Sequence, residues 1–198
     1  MEGRGLYRGL LIVGVLAILG LTIVFATEKK DSAPITAWET YRPESGDYSV
    51  SYPKGWKIQE RDSHGVSKSV QFTPGGDIYL KVQTSDSASV MMDIMKTIHT
   101  PEKALKSFHE ELVKSFMEDI DPGATPKTTQ MKVGGSDAFG STLKLHSWNG
   151  LMGRSMEAML VSTMNGNDYV ALMYICPTAE REKVFSAFGT FMGSFKPI

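Results

Sequence analysis

The stretch Ala138-Phe-Gly-Ser-Thr-Leu-Lys-Leu-His-Ser-Trp148, Asn149-Gly150, Leu151-Met-Gly-Arg-Ser-Met-Glu-Ala-Met-Leu-Val-Ser-Thr-Met164, Asn165-Gly166-Asn167, Asp168-Tyr-Val-Ala-Leu-Met-Tyr-Ile-Cys176 decides the fold. Asn-Gly is the preferred pair for a two-residue type I′ hairpin turn, because both central residues there need positive φ. Two such pairs, Asn149-Gly150 and Asn165-Gly166, punctuate three strand-length runs. Strands joined by tight turns must be antiparallel, so the stretch predicts a meander. Its last run, Tyr169 to Cys176, is apolar at every position. That predicts a central strand covered on both faces.

Upstream, Tyr48, Val50 and Tyr52 alternate with serines and end at Pro53, the period of a half-buried strand. Trp56 and Ile58 begin a second strand, Val70 and Phe72 a third, and Ile78, Leu80 and Val82 a fourth. Pro74-Gly75-Gly76 is the turn between the last two. Thr84 to Ser89 is polar and breaks the pattern. Thr100-Pro101-Glu102 starts a helix, with a hydroxyl cap, proline at the first position and an acid in the first turn. Leu105, Phe108, Leu112 and Phe116 form its apolar face, while Glu110 and Lys114 are spaced to pair on the other. Asp121-Pro122-Gly123 ends it, and Met131 and Val133 mark one more strand before Gly134-Gly135. After the meander, Pro177-Thr178 caps a last helix with Val184, Phe185, Phe188 and Phe191 or Met192 inward, stopping near Gly193. Hairpin-linked strands with separate helices give an α+β fold, an antiparallel β-sheet covered by helices.

The run Tyr48-Ser-Val-Ser-Tyr-Pro-Lys-Gly-Trp56 resembles the opening strand and turn of PsbP-like domains, in which an aromatic-x-aliphatic-x-Tyr-Pro-x-Gly-Trp stretch begins an α/β/α sandwich. Gly193-Ser-Phe195 after a terminal helix is also similar, as is the order of elements from about Asp47 to Pro197. The resemblance implies that fold. It also implies an extracytoplasmic accessory or assembly protein without catalysis, in a family that ranges from photosystem II extrinsic subunits to bacterial envelope proteins. No functional residue of the family maps onto this chain.

Gly9 to Thr27 carries no charge. As a helix it would measure roughly 28 Å, close to the hydrocarbon thickness of a bilayer. Two readings fit. An uncleaved transmembrane anchor is favoured by length, since the apolar region of a secretory signal usually has about 7 to 15 residues. A signal cut after Ala26 is favoured by the small-x-small site Val24-Phe25-Ala26. Arg4 and Arg8 precede the run, and Lys29 and Lys30 follow it, so basic residues alone set no orientation. Large domains translocate largely regardless of charge, and short basic termini tend to stay in the cytoplasm. The expected layout is a cytoplasmic N-terminus at 1–8, a span at 9–27, a linker at 28–46 and an extracytoplasmic domain at 47–198.

Charge is nearly balanced, with 21 basic and 22 acidic residues. No basic face stands out, which argues against a nucleic-acid partner. Cys176 is the only cysteine, so no internal disulfide can form. No Gly-x-Ser-x-Gly elbow and no glycine-rich phosphate loop occurs. No catalytic residue and no cofactor is therefore expected.

Several residues carry a weaker chemical signal. Met91, Met95 and His99 would share one face of a helix, and thioethers with imidazole suit Cu(I). The plainer reading is methionines filling a gap. His109-Glu110-Glu111-Leu112-Val113 begins like a zinc-protease helix, but Val113 stands where the second histidine belongs, leaving a solvated helix face. Asp119, Asp121 and Gly123 echo a calcium loop that Pro122 disrupts and Gln130 fails to close. Cys176 reads as a buried, inert thiol, and His64 and His146 have no neighbouring acid or thiol. Of Trp38, Trp56 and Trp148, the last, with Leu151 and Met152, would form an apolar hairpin tip for a partner or a membrane surface. The functional expectation is a membrane-tethered accessory or binding module acting through an envelope-protein partner. A small-ligand or copper carrier and an enzyme whose site assembles only in three dimensions are the alternatives.

Overall fold

The computed structural model describes residues 35–63, 67–118, 126–145 and 155–198. The apolar run at 9–27, the Asn149-Gly150 turn and the Asp121-Pro122-Gly123 helix end lie outside these residues. No described helix is long and apolar enough to cross a membrane.

The described chain runs β1 (Trp38–Tyr41), β2 (Tyr48–Pro53), β3 (Lys57–Asp62), β4 (Ser67–Gly75), β5 (Ile78–Ser85), α1 (Asp86–Lys96), α2 (Pro101–Glu118), β6 (Thr128–Val133), β7 (Ser136–Leu145), β8 (Met156–Asn165), β9 (Asp168–Pro177), α3 (Arg181–Ser194) and β10 (Lys196–Pro197). Two antiparallel meanders, β3-β4-β5 and β6-β7-β8-β9, join through β5 and β9 into one seven-stranded sheet. A smaller sheet, β1-β2-β10, lies beside it.

Strand β9 shows why the sandwich has two cores. Val170, Leu172, Tyr174 and Cys176 face the cluster that α3 and β2 close, while Tyr169, Ala171, Met173 and Ile175 face the one under α1 and α2. All eight are buried. An apolar residue at every position of a strand is what two buried faces require, so the expected central strand and the antiparallel, helix-covered sheet are both present.

The differences have local causes. The polar stretch after β5 is a helix start: Ser85 caps α1, its hydroxyl accepting from the Ala88 amide at 3.2 Å, with Asp86 in the first turn. Polar residues that interrupt a strand are the same residues that cap a helix. β1 lies inside the stretch expected to be linker, and its Tyr41 is buried, so the fold begins by Trp38. In the last hairpin Asn165 pairs with Asp168, which makes Gly166 and Asn167 the turn, one residue later than expected. In α3 the buried stripe is Val184, Ala187, Phe188 and Phe191, and Phe185 falls off it at 46% exposure. A 3-10 turn at Thr178–Glu180 precedes the helix, and the Thr178 hydroxyl bonds Ser155 in place of a cap. On α2, Glu110 approaches Lys106 at 3.9 Å.

Gly134 ties the two sheets together. Val133 pairs with Ser136 across Gly134 and Gly135, whose φ values are 57° and 88°, the geometry of a type I′ turn. A Cβ on Gly134 would lie 2.6 Å from the Phe195 carbonyl oxygen, whereas one on Gly135 meets open space. Gly134→Ala is expected to lower stability by about 2 kcal/mol or more, and Gly135→Ala by about 1 kcal/mol from backbone strain alone. Urea midpoints of the two variants check this ordering.

Candidate functional site

The turn joining β1 to β2 overhangs the ends of β3 and β4. It closes with the Gly46 amide donating to the Pro43 carbonyl at 3.0 Å, Gly46 taking φ 75°. Beneath it lies a cleft of about 370 Å³, within the usual range of ligand sites. Tyr41, Tyr48 and Val70 line its inner part. Glu44 and Asp47 come from the turn, and Glu60 and Asp62 from β3. Arg61 and Lys68 also line it, leaving four carboxylates against two cations.

Glu60 is held in place, its Oε1 accepting from the Tyr41 hydroxyl at 2.8 Å. Burial pushes the Tyr41 phenol pKa upward, and the Glu60 carboxylate pushes it the same way. Tyr41 thus stays a donor across the neutral range. Tyr48 is raised mainly by burial. Among the described residues, the lining contains no histidine or cysteine. The chemistry offered is attraction of a cation to four exposed carboxylates, one of them oriented by Tyr41, beside an aromatic floor.

A second polar constellation sits inside the core, where the sequence reading expected a solvated helix face. His109 is completely buried. One ring nitrogen, Nδ1, lies 2.8 Å from Ser162 Oγ, and Nε2 lies 2.9 Å from Ser141 Oγ. Ser162 continues to the Tyr169 hydroxyl at 2.7 Å, and Ser141 to Thr128 Oγ1 at 3.2 Å. The chain of bonds links α2 to β6, β7, β8 and β9. Burial pushes the His109 pKa down to about 4, so the ring is neutral, with one nitrogen donating and the other accepting. A serine beside an imidazole has the form of a nucleophile and base. Here both serines are fully buried, so the network works as a brace between layers. A signal was present in the sequence: His109 stands four residues after Leu105 and four before Val113, both buried, which puts it on the inward stripe.

On the opposite core, Glu157 is buried, accepts from the Tyr174 hydroxyl at 3.0 Å and is met by Arg181 Nε at 2.6 Å. Arg181 also lies 5.9 Å above the Phe185 ring. Cys176 pairs with Glu157 across β8 and β9. Burial, and then Glu157, push its thiol up to about 12, which keeps it protonated and unreactive.

The other singled-out residues are scattered. Met91 is buried and Met95 packs against the same apolar cluster. His99 is exposed, and α1 ends at Lys96. The two methionines thus serve as packing, and just past the end of α1 the His99 amide donates to the Met95 carbonyl at 2.9 Å. Trp38 and Trp56 are half-buried, Trp56 against the α3-side core. Trp148, Leu151 and Met152, with His64, His146, Asp119, Asp121 and Gly123, lie outside the described residues.

No protein-family model matches the sequence, and no curated protein does. Solved structures do. Cyanobacterial PsbP (CyanoP) from Synechocystis superposes with a TM-score of 0.50 at 17% identity, covering 87% of this chain and 99% of that one. The fold is PsbP-like. The Ran-binding protein Mog1p of Saccharomyces cerevisiae superposes with a TM-score of 0.51 at 10% identity, over 81% of this chain and 95% of that one. A Bacteroides thetaiotaomicron protein gives 0.47 at 13% identity over 80% of this chain, which spans 48% of its length. At these identities the likeness concerns the PsbP-like fold.

Proposed function

We propose that this PsbP-like domain is a binding module, an accessory or assembly protein that acts through contact with another envelope protein. Residues 9–27 hold it at the membrane, with 1–8 in the cytoplasm and the domain on the far side. The uncharged run supports the tether, and confinement near a surface raises the local concentration of a membrane partner. That a Ran-binding protein shares the fold supports a binding role and no particular partner.

The carboxylate cleft beneath the β1–β2 turn carries the reading. It is too small to be a whole interface, since a stable one covers about 800 Å² per partner. It suits an anchor: one lysine or arginine side chain of the partner lying between Glu44, Glu60 and Asp62, its stem over Tyr41. Glu60→Gln together with Asp62→Asn removes two charges, while the new carboxamide oxygen beside Tyr41 still accepts from its hydroxyl. Both carboxylates are exposed, and an exposed charge pair is typically worth about 0.2 to 1 kcal/mol. The double variant should bind the partner about 2- to 30-fold more weakly and with less salt dependence. Affinity of the pair for the protein that co-purifies with the wild-type chain from membranes checks this. Equal affinity, with the fold intact by circular dichroism, counts against the cleft.

A further inference from the structure

The cleft beneath the β1–β2 turn holds charges of both signs that do not meet each other. Strand register fixes where they lie. Asp62 of β3, Lys68 of β4 and Thr84 of β5 stand in one row across the sheet, and Glu60 and Val70 belong to the next row. Residues two apart on a strand share a face, and Val70 faces the α3-side core, so both rows form the floor under the turn. Neighbouring strands lie about 5 Å apart. The floor therefore runs from carboxylates at the β3 edge, through an ammonium one strand in, to a hydroxyl on the strand beyond. Glu44 and Asp47 add their carboxylates from the turn above.

Lys68 is exposed and stands opposite Asp62, but its ammonium has no hydrogen bond or ion pair among the described residues. The Thr84 hydroxyl and the Glu44 and Asp47 carboxylates have none there either. Tyr48 is the most telling of the group. It is only 6% exposed, and its ring is held against Phe195 with centroids 5.4 Å apart. Its hydroxyl has no partner among the described residues, and unlike the Tyr79 hydroxyl it is not sealed from solvent. The space it opens into is the cleft it lines. Burial raises its pKa, so it stays a donor. A phenol this buried costs stability unless an acceptor is supplied. Donors without acceptors, beside carboxylates without cations, complement a single ligand that carries both an anion and a cation.

We infer that the cleft receives the carboxy-terminal basic residue of the partner, its side-chain cation between Glu44, Glu60 and Asp62 and its terminal carboxylate accepting from the Lys68 ammonium and the Thr84 and Tyr48 hydroxyls. This rests on the proposed anchoring of a basic side chain in the same cleft and adds the second charge to it. The four-carbon stem of a lysine lets its two charges reach neighbouring strands, about 5 Å apart. Roofed by a turn and floored by a sheet, the cleft takes the end of a chain more readily than its middle. Capture of a terminal carboxylate is a recurring mode of peptide recognition.

The test titrates the full-length chain, by calorimetry, with a short glycine-serine peptide ending in lysine. The same peptide is also made as its carboxy-terminal amide and with alanine in place of the lysine, and free lysine is a fourth probe. The amide should bind at least about fivefold more weakly than the acid. Lys68→Met should bring the acid down to the level of the amide without weakening the amide. Tyr48→Phe, which keeps the ring against Phe195, should also weaken the acid, whereas Glu60→Gln should weaken both forms. Acid and amide binding equally, or a Lys68→Met variant that still prefers the acid, would overturn the inference and leave the basic anchor standing. No binding of either form would overturn it too, and the co-purifying partner would then decide the anchor separately. An alanine-ended peptide that binds as well as the lysine-ended one would overturn both. Free lysine binding as tightly as the peptide would overturn a chain end as the occupant.

Discussion

Replacing Phe72 with alanine is expected to cost about 3 to 5 kcal/mol, the range for truncating a fully buried phenylalanine. The residue has 0% exposure and stands where three parts of the fold meet. Its ring stacks on Tyr52 of β2 with centroids 4.8 Å apart. It meets Tyr41 of β1 edge-on at 5.5 Å and Phe191 of α3 at 5.7 Å. Alanine would leave a void bordered by both sheets and a helix, none of which can close on it alone. Against a typical total of about 5 to 15 kcal/mol, the loss should lower Tm by roughly 10 °C. Phe185→Ala provides the contrast. That ring is 46% exposed and gives up an edge contact with Tyr174 and the Arg181 guanidinium over its face, so the change should stay within about 1 kcal/mol. Equal losses for the two would contradict the placement of α3.

The His109 brace makes stability depend on pH in a defined direction. Its pKa is lowered to about 4 in the folded chain, from about 6.5 when unfolded. Between those values the unfolded chain binds a proton that the folded one does not, so stability falls as pH falls. The contribution is complete above pH 6.5 and is lost progressively toward pH 4. From pH 7.5 to pH 5 the loss should be about 2 kcal/mol. His109→Gln cannot titrate and should lack this part of the slope. It should also be less stable at pH 7.5 by about 1 to 3 kcal/mol, because a carboxamide cannot reach Ser141 and Ser162 as the ring does. Urea denaturation of both proteins at the two pH values measures the difference. Parallel pH slopes would mean that His109 is not buried neutral.

Local patterns made the sheet legible in the sequence. Tyr169 to Cys176 reads as a two-sided strand because both neighbouring layers are apolar, and turn residues mark the ends of β4, β6 and β8. What escaped was set by partners distant in sequence. β10 is two residues long and exists because β2 offers it a free edge. Phe185 has the composition of a core residue, but the 3-10 turn before α3 fixes which stripe faces inward. His109 was hidden by its neighbours Glu110 and Glu111, which are exposed and give the segment a solvated look. Its serine partners are 32 and 53 residues away. The carboxylate cleft is equally non-local, since Glu44 and Asp62 converge only when the β1–β2 turn folds over the edge of the larger sheet.

Site-specific photo-crosslinking in living cells asks most directly whether this cleft is where a partner docks. Photoreactive residues would replace Glu44 or Asp62 at the cleft, and Lys144, exposed on β7 far across the sheet, as the reference. Positions 44 and 62 should yield one shared adduct that position 144 does not, and Glu60→Gln should weaken it. No adduct from the cleft, or the same adduct from all three positions, would contradict a partner seated beneath the β1–β2 turn.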